Sequence, residues 1–440
     1  LTATPHRIII NFTGKFHSMS ATEKRFDKNR QFYKFCAYGF LKNLRFYEPF
    51  LFLFFLEQGL SFFQIGLLIS IREIGRNVLE IPAGIIADSI GRKKTLVWSF
   101  GFYIVAFTTY FFGYSYGVFI VAMLFYSLGD SFRTGTHKAM IFDYLKIKGW
   151  RDQKVYYYGH TRSYSQLGSA ISSLIAAGLV LLSGNYRMIF IYSIIPYILD
   201  MVNILTYPKA LDGNRAEVNR KKILKGFKEV FMDFVNTFRR LKILRAVSNL
   251  SLHTGYYQAL KDYLQPVIKT LALSTPFFLD LGDRQRTAIL IGIIYFFIYL
   301  MTSTASRNSG NFAHRFKSLM LPLNITILAG LVFGFISGMF YELELPLLAV
   351  IFYVVIYVVE NLRKPTGVSY VTDVIDKDIL ATVLSAESQA HTLIAALLAP
   401  LIGFLADRFG IGYAIMGVSL LIVLIAPFFW LTKKNQPVED

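Results

Sequence analysis

GIIADSIGRKKTL, residues 84–96, places one carboxylate, Asp88, between two glycines and just ahead of Arg92, Lys93 and Lys94, where a long apolar run ends. The surroundings of this stretch set the class of protein. Of the 440 residues 54% are hydrophobic and 16% aromatic, and the apolar residues come in runs of about 20 between short polar breaks. Helices of a soluble domain would be greasy on one face only, whereas these runs are apolar all round. The bilayer is the solvent.

Apolar spans fall near residues 32–57, 62–88, 93–114, 116–145, 155–183 and 186–207, and again near 246–272, 285–305, 316–338, 345–375, 380–406 and 411–432. The fold expected is therefore an all-α membrane protein of twelve transmembrane helices in two pseudo-symmetric six-helix bundles. Its parts are a segment 1–31, a bundle 32–207, a basic linker 208–245, a bundle 246–432 and a tail 433–440. Native translation is expected to start at Met19, which leaves residues 1–18 as a non-native extension. The short apolar run Ile8–Ile10 is not a signal peptide.

A net charge of +18 would suit nucleic acid if it gathered in a soluble domain, and no such domain is visible. Membrane topology accounts for it instead. Arg92, Lys93, Lys94, Lys146, Lys148, Arg151, Lys154, Lys433 and Lys434 share one side, and the opposite loops carry Glu57, Glu342 and Glu344. Both termini are then cytoplasmic in a plasma (cell inner) membrane. The linker holds eleven basic residues against four acids, and Ile223, Phe227, Val230, Phe231 and Phe234 recur at helical spacing. Two readings stand for it: an amphipathic helix on an anionic membrane surface, or a solvated connection between the bundles.

The halves repeat each other. Asp130, Arg133 and Asp143 match Glu360, Arg363 and Asp373 at one offset, Ser165 and Gln166 match Ser388 and Gln389 at another, and Glu48 and Pro49 match Gln265 and Pro266. Ionisable residues follow the repeat with a period of three spans. Lys42, Arg45 and Glu48 lie mid-way along span one, Asp130 and Arg133 in span four, Lys261 and Asp262 in span seven, and Glu360, Arg363 and Lys364 in span ten. A charge at a helix centre costs about 2.5–3.5 kcal/mol on insertion, so ten of them cannot all face lipid. Either these four spans line a shared aqueous cavity, or the charges pair to hold helices together.

Six cations (Lys42, Arg45, Arg133, Lys261, Arg363, Lys364) face four anions (Glu48, Asp130, Asp262, Glu360), which favours an anionic or zwitterionic organic solute, held with help from Tyr38. Proton coupling requires a buried carboxylate that takes up a proton once substrate claims its cationic partner. The candidates are Glu48, Asp130, Asp262 and Glu360, with Asp130–Arg133 and Glu360–Arg363 as repeat-related pairs. A stripe of Glu73, Arg76, Glu80, Gly84 and Asp88 marks one face of span two, and Arg162, Glu387 and His391 are further candidates on spans five and eleven. The lone Cys36 excludes an intrachain disulfide and a cysteine-based zinc site, and the sequence shows no metal-ligand spacing, cofactor motif or catalytic constellation. The partners expected are a small-molecule substrate, protons and the lipid bilayer, with the chain a monomer.

The opening stretch resembles the signature G-x-L-A-D-x-x-G-R-K-x-x-L that joins spans two and three in the major facilitator superfamily, in glycines 84 and 91, Asp88, Arg92 and Lys93. The resemblance implies secondary active transport by alternating access, with the substrate site at the midplane between the halves. Departures narrow the choice within the family: Arg133 is followed by Thr134, Gly135, Thr136 and His137, and QLGSAISSLIAAG at 166–178 lacks the span-five motif of drug/proton antiporters. A multidrug/proton antiporter, a charged-lipid flippase and a sensor or scaffold on a transporter fold remain as alternatives.

Asp88 reads as a conformational latch with Gly84, Gly91 and Arg92, either pairing with Arg92 or accepting backbone N–H bonds at a neighbouring helix start. The segment GFLADRFG, 403–410, copies its spacing, so Asp407 is expected to be a second latch on the opposite side of the membrane.

Overall fold

A computed structural model gives the structure of residues 28–213, 232, 241–375 and 379–432. The expected amphipathic helix around 223–234, most of the segment 1–31 and the tail 433–440 lie outside the described residues.

Fifteen α-helices form in chain order among the described residues, with no strand: α1 (Arg30–Leu41), α2 (Leu51–Glu57), α3 (Phe62–Ile90), α4 (Arg92–Phe112), α5 (Tyr116–Arg133), α6 (Thr136–Ile147), α7 (Lys154–Ser183), α8 (Met188–Leu205), α9 (Leu241–Leu260), α10 (Leu264–Ser274), α11 (Asp283–Ala313), α12 (Met320–Glu342), α13 (Pro346–Val374), α14 (Leu380–Phe409) and α15 (Ile411–Ile425). Eight of them, α4, α7, α8 and α11–α15, are long and apolar enough to cross a membrane. The other four expected spans are helical but not continuous greasy rods. Spans one, four and seven are each broken, into α1 and α2, α5 and α6, and α9 and α10, while α3 carries Arg72, Glu73, Arg76, Glu80 and Asp88 along its length.

Local chemistry sets the helix ends. Asn29 caps α1 by accepting the Phe32 N–H at 3.1 Å. Ser61 and Gln64 form a reciprocal capping box at the start of α3. The two signature copies end their helices in the same way. Gly91 stops α3 at φ +96° and Gly410 stops α14 at φ +98°, a backbone conformation open to glycine and strained for other residues.

In the first half α4 packs against α5 and α8, α1 against α7 and α8, and α3 against α5; in the second, α12 packs on α13 and α15, and α11 on α13. The halves meet along two seams, α3 with α14 and α7 with α11. Backbones touch at the first seam, where a Cβ on Gly66 would come within 2.4 Å of the Ala399 carbonyl and one on Gly403 within 2.3 Å of the Phe62 carbonyl. Ser70 Oγ donates across it to the Ala396 carbonyl at 2.5 Å.

The cross-half bonds run from the acidic end of the molecule, where Glu57 meets Arg284 at 2.5 Å, to the level where Arg76 reaches Thr392 at 3.5 Å. Toward the basic end, marked by Arg92, Lys93 and Lys94, a Cβ on Gly84 would meet nothing within 4 Å. Gly84, expected to be part of the latch with Asp88, therefore meets no neighbouring helix among the described residues in this state. Its face of α3 looks into open space.

Candidate functional site: two cavities and a pair of helix latches

The helix breaks hold the charges. Lys42 caps the end of α1, Arg45 and Glu48 lie on the turns before α2, and Lys261 and Asp262 form the single turn between α9 and α10. The apolar run 32–57 implies one helix through these residues; the structure interrupts it where the polar positions concentrate. Irregular backbone at membrane depth is stable only if its freed groups find partners in protein or water. Gln265 meets that need across the halves: its Nε2 donates to the Glu48 carbonyl at 3.0 Å and its Oε1 accepts the Phe52 N–H at 2.9 Å. Tyr353 and Tyr357 donate to the Leu260 and Lys261 carbonyls at 2.5 and 2.6 Å.

A cavity of about 430 Å³ lies within the first half, between span one, span four and α7. Lys42, Arg133, Lys138 and Arg162 line it together with His137, and among the described residues of its wall there is no carboxylate. Tyr38 forms one side, its ring stacked on His137 at 3.4 Å and 9°, while His137 Nε2 lies 3.1 Å from the Tyr207 hydroxyl. Lys42 Nζ sits 5.6 Å from the Tyr38 ring and Lys138 Nζ 5.6 Å from Phe142. Behind the wall Arg133 is oriented by its pair with Asp130 at 2.8 Å and by the Tyr103 hydroxyl at 3.0 Å, and that hydroxyl donates in turn to Asp130. One edge of the guanidinium is thereby held from the protein side.

A second cavity of about 230 Å³ straddles the halves and is lined by Arg45, Glu48, Lys261 and Asp262, with Tyr257 and Tyr299. Glu48 pairs with Arg45 of its own half and with Lys261 of the other, each at 3.5 Å. Below it Glu73 is held between Arg72 and Arg76, both at 3.1 Å, so part of the α3 stripe is ion-paired within its own helix. No such bond reaches Glu80 among those described.

The repeat does not extend to pairing in the second half. Glu360 was expected to pair with Arg363; instead its carboxylate is taken by His253 Nδ1 at 2.8 Å and by Thr254 Oγ1 at 2.9 Å. Arg363 is 2% exposed and donates to the Leu323 carbonyl, to Thr326 Oγ1 at 3.0 Å, and to Asn249 through both its carbonyl, at 2.7 Å, and its side chain. The physical reason is local. Span seven presents Asn249, His253 and Thr254 where the first half presents apolar and aromatic groups, and these offer each charge a closer partner. Lys364 is exposed. Neither cavity wall includes Glu360, Arg363 or Lys364.

The latches also differ. Asp407 accepts the N–H groups of Phe62 and Phe63, both at 2.8 Å, and so caps α3 from the other half. Asp88 is exposed, and the pairing expected with Arg92 is corrected: Arg92 pairs with Asp143. The N–H of Lys93 at the start of α4 is capped by Asp212, at 2.8 Å.

A family model described as Major Facilitator Superfamily matches residues 35–386. The chain belongs to that superfamily. It is 24% identical over 410 residues to the uncharacterized MFS-type transporter YxaM of Bacillus subtilis (strain 168), covering 90% of this chain and 94% of that protein. Among solved structures it resembles a POT family transporter in complex with a thioalcohol-conjugated peptide (TM-score 0.70, 14% identity, 90% and 95% of the two chains) and the nucleoside transporter NupG (TM-score 0.69, 14% identity, 91% and 97%). This superfamily member is thus a multi-pass membrane protein and a secondary transporter, not an enzyme.

Two features of the transporter escaped the sequence reading. His253 and Lys138 sit on helices that carry stronger charge signals nearby, although the run SNLSLHTGYYQ at 248–258 is polar enough to signal a buried hydrogen-bonded face. Arg162, Glu387 and His391 were candidates from position alone; Arg162 joins the first cavity, and His391 lies 3.3 Å from Glu387, apart from it.

Proposed function

We propose that the transporter moves a small organic anion, or a zwitterion held by its acidic group, by alternating access, and that the first-half cavity is where the acidic group binds. The observation that carries this reading is the lining of Lys42, Arg133, Lys138 and Arg162 with no carboxylate among the described residues of the wall. Four cations crowded around one void repel one another, and an anion relieves that repulsion while its oxygens accept paired N–H bonds from arginine. The stacked Tyr38 and His137 supply a flat wall for the organic part.

On this reading the basic end faces the cytoplasm, and the sealed acidic end makes the observed state inward-facing. Glu48–Lys261 and Glu57–Arg284, ion pairs that cross the halves, part when the acidic end opens. The coupling ion is a proton, carried by one or more of Glu48, Asp130, Asp262 and Glu360. Of these Asp130 is closest in role to substrate, because an anion on Arg133 competes for the guanidinium that Asp130 now holds.

The test is uptake by the purified transporter in proteoliposomes. Organic anions should enter or leave with an imposed pH gradient, and the double variant Asp130→Asn/Glu360→Gln should lose the gradient's effect while retaining exchange. Gradient-driven transport unchanged in that variant would remove protons on these carboxylates from the account.

A further inference from the structure

The three cations that follow Gly91 are not spent on the latch. Lys93 and Lys94 on the first turn of α4 and Lys209 just beyond α8 surround a cavity of about 470 Å³, away from both transport cavities. We propose that it binds the headgroup of an anionic phospholipid, with an acyl chain lying in the bilayer along α4 and α8.

Position is the first argument. Both α4 and α8 are long and apolar enough to cross the membrane, and the cavity sits at the first turn of one and beyond the last turn of the other, which is headgroup depth. Charge is the second. Three lysines face one carboxylate, Asp212, whose Oδ1 is already occupied by the Lys93 N–H. The Lys93 ammonium is fixed against the Tyr207 carbonyl at 3.0 Å, while Lys94 and Lys209 are exposed. Basic pockets between spans at this depth suit phospholipid headgroups.

The third argument separates a lipid from a soluble phosphate. Trp98 and Leu205, which line the same cavity, are 51% and 52% exposed. Leu199 and Val202 on α8 and Val105 on α4 continue that apolar exposure toward the bilayer centre. Tryptophan at the interface with aliphatic residues beneath it matches a headgroup above an acyl chain. A free phosphate has no use for the apolar strip.

The experiment uses Trp98 as reporter. The chain has three tryptophans, and Trp150→Phe with Trp430→Phe leaves Trp98 alone. The full-length protein is placed in nanodiscs whose phosphatidylglycerol or phosphatidylcholine carries brominated chains. Brominated phosphatidylglycerol should quench Trp98 at a mole fraction about tenfold lower than brominated phosphatidylcholine. Adding Lys94→Gln and Lys209→Gln should bring the two curves together without changing thermal unfolding. Equal quenching by the two lipids, or a preference that survives the lysine substitutions, overturns the proposal. Relief of quenching by about 10 mM inorganic phosphate assigns the site to soluble anions and also overturns it. Should the tryptophan variants fail to fold, native mass spectrometry of the otherwise unaltered chain gives the same decision: phosphatidylglycerol adducts must persist, and must be lost in Lys94→Gln/Lys209→Gln.

Discussion

Asp130 with Arg133 and Glu360 with Arg363 occupy matching places in the two halves, each an acid three residues ahead of an arginine on a broken or proline-bearing helix. In the first half the two bond to each other and the arginine borders a cationic cavity. In the second they turn away from each other, the acid to His253 and Thr254, the arginine to Asn249 and Thr326, and neither lines the two cavities described above. Duplication copied the charges; the residues facing them decide whether a charge is available to a ligand or committed to the fold.

That contrast can be broken most forcefully at Arg363. Arg363→Ala removes a buried guanidinium that donates to the Leu323 and Asn249 carbonyls and to the Thr326 and Asn249 side chains, and the lost bonds together with the void cost about 3–5 kcal/mol. Thermal unfolding in detergent should show the largest drop of any single variant here, and a near-native melting temperature would mean that the second half is not the committed one. Lys42→Gln with Arg162→Gln touches the open half. Neither residue has an ion-pair partner among those described, so stability should stay within about 1 kcal/mol of the parent. Anion affinity should nevertheless fall by at least about tenfold, since each charge-assisted bond contributes about 1.5–3 kcal/mol net.

A subtler effect belongs to the two latches. Asp407→Asn weakens two charge-assisted caps on α3 and should cost about 1–2 kcal/mol, read as a lower melting temperature and as easier labelling of a cysteine placed near Phe62. Asp88→Asn should change the stability of this state by less than about 0.5 kcal/mol, because Asp88 is exposed. A larger effect at Asp88 than at Asp407 would reverse the assignment of which latch is engaged.

Much of the architecture was legible in the chain because bilayer thickness dictates the length of an apolar run and glycine at positive φ dictates where a run must stop. The signature at 84–96 and its copy at 403–410 share one spacing and end their helices in one geometry. The breaks at 42–50, 134–135 and 261–263 were not legible, since hydropathy averages over the turns that interrupt a span. Nor were the pairings. Sequence spacing brings Arg363 within reach of Glu360 on one helix, but Asn249 and His253 arrive from a helix more than a hundred residues earlier in the chain, and only packing reveals that they win. The same limit explains Asp212, which takes the cap at the start of α4, and Lys138, which completes the cavity without belonging to the repeat.

The central claim, that the first-half cavity selects an acidic group, is tested most directly by thermal unfolding of the purified transporter against matched small solutes that are anionic, zwitterionic, neutral or cationic. A ligand bound only to the folded state raises the apparent melting temperature in proportion to its occupancy. The account predicts saturable stabilisation by one or more anionic or zwitterionic solutes that disappears in Lys42→Gln/Arg162→Gln. Stabilisation by neutral or cationic solutes alone, or by anions equally well in that variant, would contradict it.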